Sequence, residues 1–274
     1  MGFDHGLNIG QKVNNEQLAD VFLCSTQGGM RRSHRTNSLV LISDHTKGLY
    51  EDRWDGKTFH YTGMGLIGDQ GLNFQQNRTL ADSQTNGIEV YLFEVFVEKE
   101  YVFMGQVELA GLPYQERQLD TEKNNRLVWV FPLHLVGGTL PYAVSAATLQ
   151  KKKESQEKQA RKLSNVELSR RAKQARKKSG ERQTTSTTYD RDPYVSEYAK
   201  RRANGMCQLC EQPAPFSKNR IPYLETHHID WLSKGGEDTV ANTVALCPNC
   251  HRKMHSLNEP KDILKLKQMA ENYI

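Results

Sequence analysis

The chain has 274 residues, 37% of them hydrophobic, a formal net charge of +5 and five cysteines. That length suits two ordinary domains, each with its own core. No stretch approaches the roughly 20 apolar residues that span a bilayer, and the opening MGFDHGLNIGQKVNNEQ lacks a hydrophobic secretory core, so a cytoplasmic protein without membrane partners is expected.

Between about residues 18 and 135, the β-rich runs ADVFLC, NSLVLIS, KTFHYTG, GIEVYLFEVFV, EYVFMGQVEL and RLVWVFPLHL alternate with polar, glycine-containing breaks. They predict a sheet-dominated first domain, a curved sheet or barrel, over residues 1–147. Cys24, closing the first run, reads as a small buried hydrophobe. Residues 149–180 are rich in helix formers but carry few large apolar side chains, which predicts a basic, helical arm within a linker at 148–190. Residues 151–180 hold twelve Lys/Arg against three Glu, a net +9 that leaves about −4 elsewhere. Such a block suits contact with a polyanion, nucleic acid before an acidic membrane surface, the plainer alternative being a merely solvated linker. GERQTTSTTYDRDP reads as a joint, and PYVSEYAKRRANGMC as a helix opening the last domain, 191–274.

In that domain, Cys207-Gln-Leu-Cys210 and Cys247-Pro-Asn-Cys250 form two CxxC pairs. In a reducing compartment these read as four thiolate ligands for a tetrahedral structural Zn²⁺ rather than as disulfides. A segment this small also needs such a staple. Between and beside the pairs lie His227, His228, Asn242, His251 and His255. Adjacent histidines on a strand face opposite ways, whereas residues four apart on a helix share a face. His227 and His251, with His255 as a third candidate, can therefore hold a second metal while His228 remains free to move a proton.

The segments ETHHID, NTVALCPNCH and HRKMH resemble the HNH, or ββα-metal, nuclease motif in its four-cysteine form, over about residues 192–258. The resemblance implies that His228 is the general base that activates water and that Asn242 holds the His228 loop. It also implies that His227, His251 and His255 ligate one catalytic divalent ion, Mg²⁺ or Mn²⁺, with Ni²⁺, Co²⁺ or Zn²⁺ as alternatives. Glu225 would be a carboxylate orienting a histidine.

In the first domain, Tyr50, Asp52, Asp55, Tyr61 and Thr62 sit among glycines in LYEDRWDGKTFHYTGMG. Two aromatic faces and a carboxylate acceptor are what a flipped-out base requires, although by residue type alone tyrosines in a β domain are more often packing residues. The order SLVLIS, LYEDRWDGKTFHYTGMG, QNRTL resembles the SRA (SET and RING associated) domain over about residues 8–135. That resemblance implies that Tyr50 and Tyr61 sandwich a modified cytosine, that Asp52 or Asp55 accepts from its amine, and that Thr62 lines the pocket. GGMRRSHR, with Arg31, Arg32 and Arg35, and FQQNRT, with Gln76, Asn77 and Arg78, would reach the DNA.

The whole chain resembles bacterial modification-dependent (type IV) restriction endonucleases of SRA-HNH architecture. The expectation is an α+β protein with an SRA-like barrel, a basic helical linker and a zinc-stapled ββα-metal domain. It would cut double-stranded DNA carrying 5-methylcytosine or 5-hydroxymethylcytosine, as a homodimer, because one HNH centre cuts one strand. The alternatives are a nuclease directed to a glucosylated base or a phosphorothioate, and a reader that binds modified DNA without cutting.

Overall fold

The computed structural model describes residues 3–47, 50–122, 124–173 and 180–271. The chain divides into two compact units, Met1–Ser186 and Thr187–Ile274.

The first unit opens with β1 (Lys12–Val13) and α1 (Asn15–Phe22), followed by β2 (Met30–Ser33), β3 (Ser38–Asp44), β4 (Arg53–Asp55), β5 (Thr58–Thr62) and α2 (Gln76–Ala81). The long strands β6 (Glu89–Val97), β7 (Glu100–Leu109), β8 (Tyr114–Leu119) and β9 (Asn125–Leu135) come next. Nine strands form one sheet along the path β2-β3-β6-β7-β9-β5-β4, with β1 added to β7 and β8 to β9. Its two ends, β2 and β4, do not pair with each other, so the expected barrel is an open, curved sheet. Bulges between Leu92 and Phe93 and between Val95 and Val97 help bend it.

Side-chain alternation explains why the sheet is covered on both faces. On β3 and β6, Leu39, Leu41, Val90 and Leu92 enter a core with Phe59, Tyr61, Leu80 and Phe131. Their neighbours Val40, Ile42, Tyr91 and Phe93 enter another with Leu18 and Phe22 of α1. ADVFLC is therefore mostly helical rather than extended. Asn14 and Gln17 form a reciprocal capping box that starts a helix there, and Leu18 and Phe22, four apart, share its buried face. Cys24, beyond the helix end, is half-exposed rather than buried.

The first unit continues past residue 147. After β10 (Val144–Ser145) come α3 (Ala146–Ala160), capped by Ser145, and α4 (Asn165–Lys173), neither of which buries a residue. The chain then returns as β11 (Thr184–Thr185), which pairs in parallel with β10.

The second unit starts with α5 (Pro193–Arg202), whose first turn is capped by Asp192. Two hairpins follow, β12 (Ser217–Lys218) with β13 (Ile221–Pro222) and β14 (Glu225–His228) with β15 (Thr243–Leu246), then α6 (Pro248–Ser256) and α7 (Pro260–Glu271). Its core combines Leu224, Ile229, Val244, Leu246, Met254 and Leu266 with Cys207 and Cys247. Two cysteines thus lie within a small apolar core, where a metal can add the stability that so few residues otherwise lack.

Candidate active site and base-reading pocket

In the second unit the four sulfurs of Cys207, Cys210, Cys247 and Cys250 lie within 4.8 Å of one another. Tetrahedral zinc at about 2.3 Å from sulfur requires S···S separations of about 3.8 Å, and Cys210 Sγ is 4.0 Å from Cys247 Sγ. Burial pushes the Cys210 and Cys250 thiols up, with the neighbouring thiol groups adding to the rise, whereas backbone N–H groups outweigh burial at Cys207 and pull it down. A divalent cation held by these four sulfurs would relieve this crowding, because all four could then ionise together. The Cys247 sulfur also caps α6, accepting from Cys250 N–H, so helix and knuckle share one anchor.

A second cluster lies on the β14–β15 hairpin and α6. The ring nitrogens of His227, His251 and His255 fall within 4.8 Å of one another. His227, opposite Val244 in the hairpin, is 1% exposed, and neither of its ring nitrogens has a hydrogen-bond partner among the described residues. Burial, followed by the charges of His255 and His251, lowers its pKa to about 3, which keeps it a neutral donor. His251 Nδ1 donates to Glu225 Oε2 at 2.6 Å, which leaves Nε2 as the basic nitrogen, 3.1 Å from His255 Nε2. An orphaned buried imidazole and two ring nitrogens aimed at one point fit a metal ion better than any arrangement of hydrogen bonds among themselves.

His228 points to the other face of β14, as strand geometry requires. Its Nε2 lies 2.7 Å from Asp238 Oδ1. A carboxylate only accepts, so Nε2 carries the proton and Nδ1 keeps the lone pair that can take one from water. The hydrogen bond from His228 and that from the Asp192 backbone hold the Asp238 carboxyl below its ordinary value. The loop joining these residues is fixed by Asn242, whose Oδ1 accepts from Asp230 N–H at 2.8 Å and whose Nδ2 donates to the carbonyls of Asp230 at 2.9 Å and Glu237 at 2.7 Å. Gly236 makes the turn possible: a Cβ there would fall 1.9 Å from the Asp230 carbonyl oxygen. Asp238 was not found from the sequence. Its only signal is a carboxylate ten residues after the paired histidines.

In the first unit, Asp52 is buried, and its carboxylate accepts from Thr62 N–H at 2.8 Å. Burial raises its pKa, opposed by that hydrogen bond. Thr62 Oγ1 accepts from Gln118 Nε2 at 3.1 Å. Asp55 lies instead at the closed end of the β4–β5 hairpin, opposite Thr58. Tyr50 is half-buried, donating to the Gly65 carbonyl at 3.3 Å, with the Arg126 guanidinium 6.0 Å from its ring centre. Tyr61 is 3% exposed, belongs to the core, and donates to the Gly29 carbonyl at 2.8 Å. Neither face of that ring is open to a base in this structure.

The expected DNA-contact residues separate in the same way. Arg31 is 4% exposed and donates to the Gly28 carbonyl and to Asn15. Asn77 is fully buried, accepting from Met64 N–H and donating to the carbonyls of Met64 and Gly71. The amide of Asn77 and two of the guanidinium nitrogens of Arg31 are thus engaged inside the fold. Arg32 is tied to its own hairpin through the Ser38 carbonyl and Asn37, and Gln76 is half-buried. Arg35 is exposed, as is Arg78, whose partner is Asp82.

An open sheet that buries Asp52 beside Thr62, followed by a paired-histidine hairpin next to a four-cysteine cluster, describes a reader joined to a candidate nuclease-type metal site. The chain belongs to the ScoMcrA-like SRA domain family, which matches residues 9–156, and it carries an HNH endonuclease domain at residues 207–257. It is 46% identical over 79 residues to the type IV methyl-directed restriction enzyme EcoKMcrA of Escherichia coli (strain K12), a match spanning 28% of each chain. Among solved structures it is similar to the type IV phosphorothioation-dependent restriction endonuclease ScoMcrA, at 21% identity and a TM-score of 0.41, covering 97% of this chain and 63% of that one. It is also similar to the modification-dependent TagI restriction endonuclease, at 19% identity and a TM-score of 0.38, covering 92% and 78%.

Proposed function

We propose that this chain is a modification-dependent DNA endonuclease. Its SRA unit binds duplex DNA carrying a modified cytosine, and its HNH unit hydrolyses a nearby phosphodiester. The observation that carries the reading is the convergence of His227, His251 and His255 beside an oriented His228–Asp238 pair, with a separate four-cysteine cluster.

His228 Nδ1 accepts the proton of the attacking water, and Asp238 stabilises the imidazolium that forms. Asn242 and Gly236 keep the loop carrying Asp238 in register with β14. Glu225 fixes the ring of His251, so that its Nε2 faces His227 and His255. These three histidines would hold a divalent ion, which would supply charge neutralisation at the phosphoryl group and the leaving oxygen. Three imidazole donors suit Mn²⁺, Co²⁺, Ni²⁺ or Zn²⁺ better than Mg²⁺, which prefers oxygen ligands. A double-strand break then calls for two protomers, one centre per strand.

In the first unit, Asp52 rather than Asp55 is the acceptor for the amine of a flipped cytosine, since it is the carboxylate joined to Thr62 in a buried site. The burial of Tyr61 favours a second reading, in which the mark lies on the backbone, as a phosphorothioate does, and no base enters a sandwich. Cleavage of one duplex prepared with 5-methylcytosine, 5-hydroxymethylcytosine, a glucosylated base, a phosphorothioate or no mark, each with Mg²⁺ and with Mn²⁺, separates these readings. Cutting confined to the phosphorothioate duplex would replace the cytosine reading. Binding without cutting by any metal would make the chain a reader only.

A further inference from the structure

The sheet carries one fully buried carboxylate that the proposed reaction does not use. Glu94, in the middle of β6, is 0% exposed, and its oxygens accept from three side chains: His45 Nε2 at 2.8 Å, Arg182 Nη1 at 2.8 Å and Trp54 Nε1 at 3.1 Å. Lys152 Nζ lies 3.0 Å from His45 Nδ1. An ammonium only donates, so Nδ1 accepts from Lys152 and Nε2 carries the proton toward Glu94. The result is a hydrogen-bonded chain from Lys152 through His45 to Glu94, joined there by Arg182 and Trp54. Although burial pushes the Glu94 carboxyl up, the His45 hydrogen bond and the Arg182 charge outweigh it and hold the group at about 2.

Two of these partners come from the basic arm. Lys152 is on its outgoing helix, α3, and Arg182 is on its return. The return segment also lies along β4, the last strand of the sheet path. Gly56 N–H donates to the Glu181 carbonyl at 3.2 Å, and Gly180 packs so closely that a Cβ on it would fall 2.6 Å from the Trp54 carbonyl oxygen. Arg182 Nη2 donates to the Tyr142 carbonyl at 3.3 Å, and its guanidinium lies 5.2 Å from the Phe96 ring centre. The parallel β10–β11 bridge closes the loop beside them.

The strand gripped in this way matters, because Asp52 immediately precedes β4, two residues before Trp54. Both are buried. Lys152 and Asp52 are close enough to feel each other's charge. We propose that the arm is a working part of the base-reading pocket: Lys152, Gly180 and Arg182 clamp β4 through Glu94 and so fix the position of Asp52. They are positioning residues, and undocking the arm costs discrimination between modified and unmodified cytosine as well as affinity. This rests on the reading of the first unit as a modified-cytosine reader.

The test uses full-length protein carrying His228→Ala, so that binding is read without cutting. Dissociation constants are measured for one duplex with 5-methylcytosine, 5-hydroxymethylcytosine or plain cytosine. Gly180→Ala breaks the close approach without touching a charge, and Lys152→Met removes the ammonium but leaves Glu94, His45 and Trp54 in place. Each should bring the preference for the modified duplex from about 10- to 200-fold down to within a few-fold of one. Hydrogen exchange in the peptide containing Trp54 should rise at the same time. Arg182→Lys, which keeps a donor toward Glu94, should retain most of the preference. The double variant Lys151→Gln, Lys153→Gln alters exposed lysines of the same helix, and it should weaken binding to all three duplexes alike while keeping the ratio. A preference that survives both Gly180→Ala and Lys152→Met overturns the clamp, whatever the exchange shows. A parent protein with no preference for either modified duplex overturns the cytosine reading itself, and the clamp with it.

Discussion

His228 Nε2 and Asp238 Oδ1, ten positions apart in sequence, are 2.7 Å apart across a loop that Asn242 ties together. The contact assigns the imidazole proton to Nε2 and leaves Nδ1 basic. His228→Ala should lower cleavage by roughly 10²- to 10⁴-fold, and Asp238→Asn by a smaller factor, with DNA affinity nearly unchanged in both. Single-turnover cleavage and equilibrium binding check this together. Equal loss of both quantities would make the pair structural.

The two metal clusters should come apart under mutation. Cys247→Ser removes one of the four clustered thiols from within the core, so the second unit should fail to retain the zinc that this cluster would hold and should lose its cooperative melting transition. His251→Ala should keep the zinc and the fold and lose cleavage. Metal content and calorimetry of the two variants decide. A folded, zinc-loaded Cys247→Ser protein would contradict the structural role.

The Glu94 carboxyl titrates at about 2, below the ordinary value of 4.5. A group depressed on folding contributes its full stability above the unfolded pKa, and that contribution fades as the pH falls from about 4.5 toward about 2. A shift of this size corresponds to roughly 3 kcal/mol. Glu94→Gln should destabilise the first unit at neutral pH and flatten its acid dependence. Urea melts at pH 7, 4 and 3 measure both effects. Parallel stability curves for parent and variant would show that Glu94 does not set the acid sensitivity.

The second unit was largely legible in the sequence because its chemistry is local. CxxC spacing, the paired histidines of β14 and the four-residue step from His251 to His255 fix ligand directions within single elements. Asp238 escaped because it meets His228 only across a loop. The first unit was legible as strands but less so as a pocket. Tyr61 and Arg31 carry the residue types of a reader, and only the tertiary fold reveals that the core and the Asn15 side chain already engage them. The docking of the arm was invisible for the same reason, since Glu94 sits in an apolar run and its partners lie 40 or more residues away.

The exposed lysines of the arm should act through phosphate contacts. Neutralising Lys151, Lys153, Lys158 and Lys162 should weaken modified and unmodified DNA alike, and the slope of log K against log salt should become shallower by about 0.9 for each phosphate that is no longer neutralised. Affinity measured at several salt concentrations reads this directly. An unchanged slope would mean that these side chains do not meet DNA.

Recognition by the first unit should direct hydrolysis by the second. The decisive measurement is a competition in a single tube, with full-length protein, Mn²⁺ and equal amounts of two duplexes that differ only by 5-methylcytosine or 5-hydroxymethylcytosine at one position. The modified duplex should be cut about 10- to 200-fold faster than the plain one, and His228→Ala should cut both at least about 100-fold more slowly. Equal rates for the two duplexes, or undiminished cutting by His228→Ala, would refute the coupling of reader to nuclease.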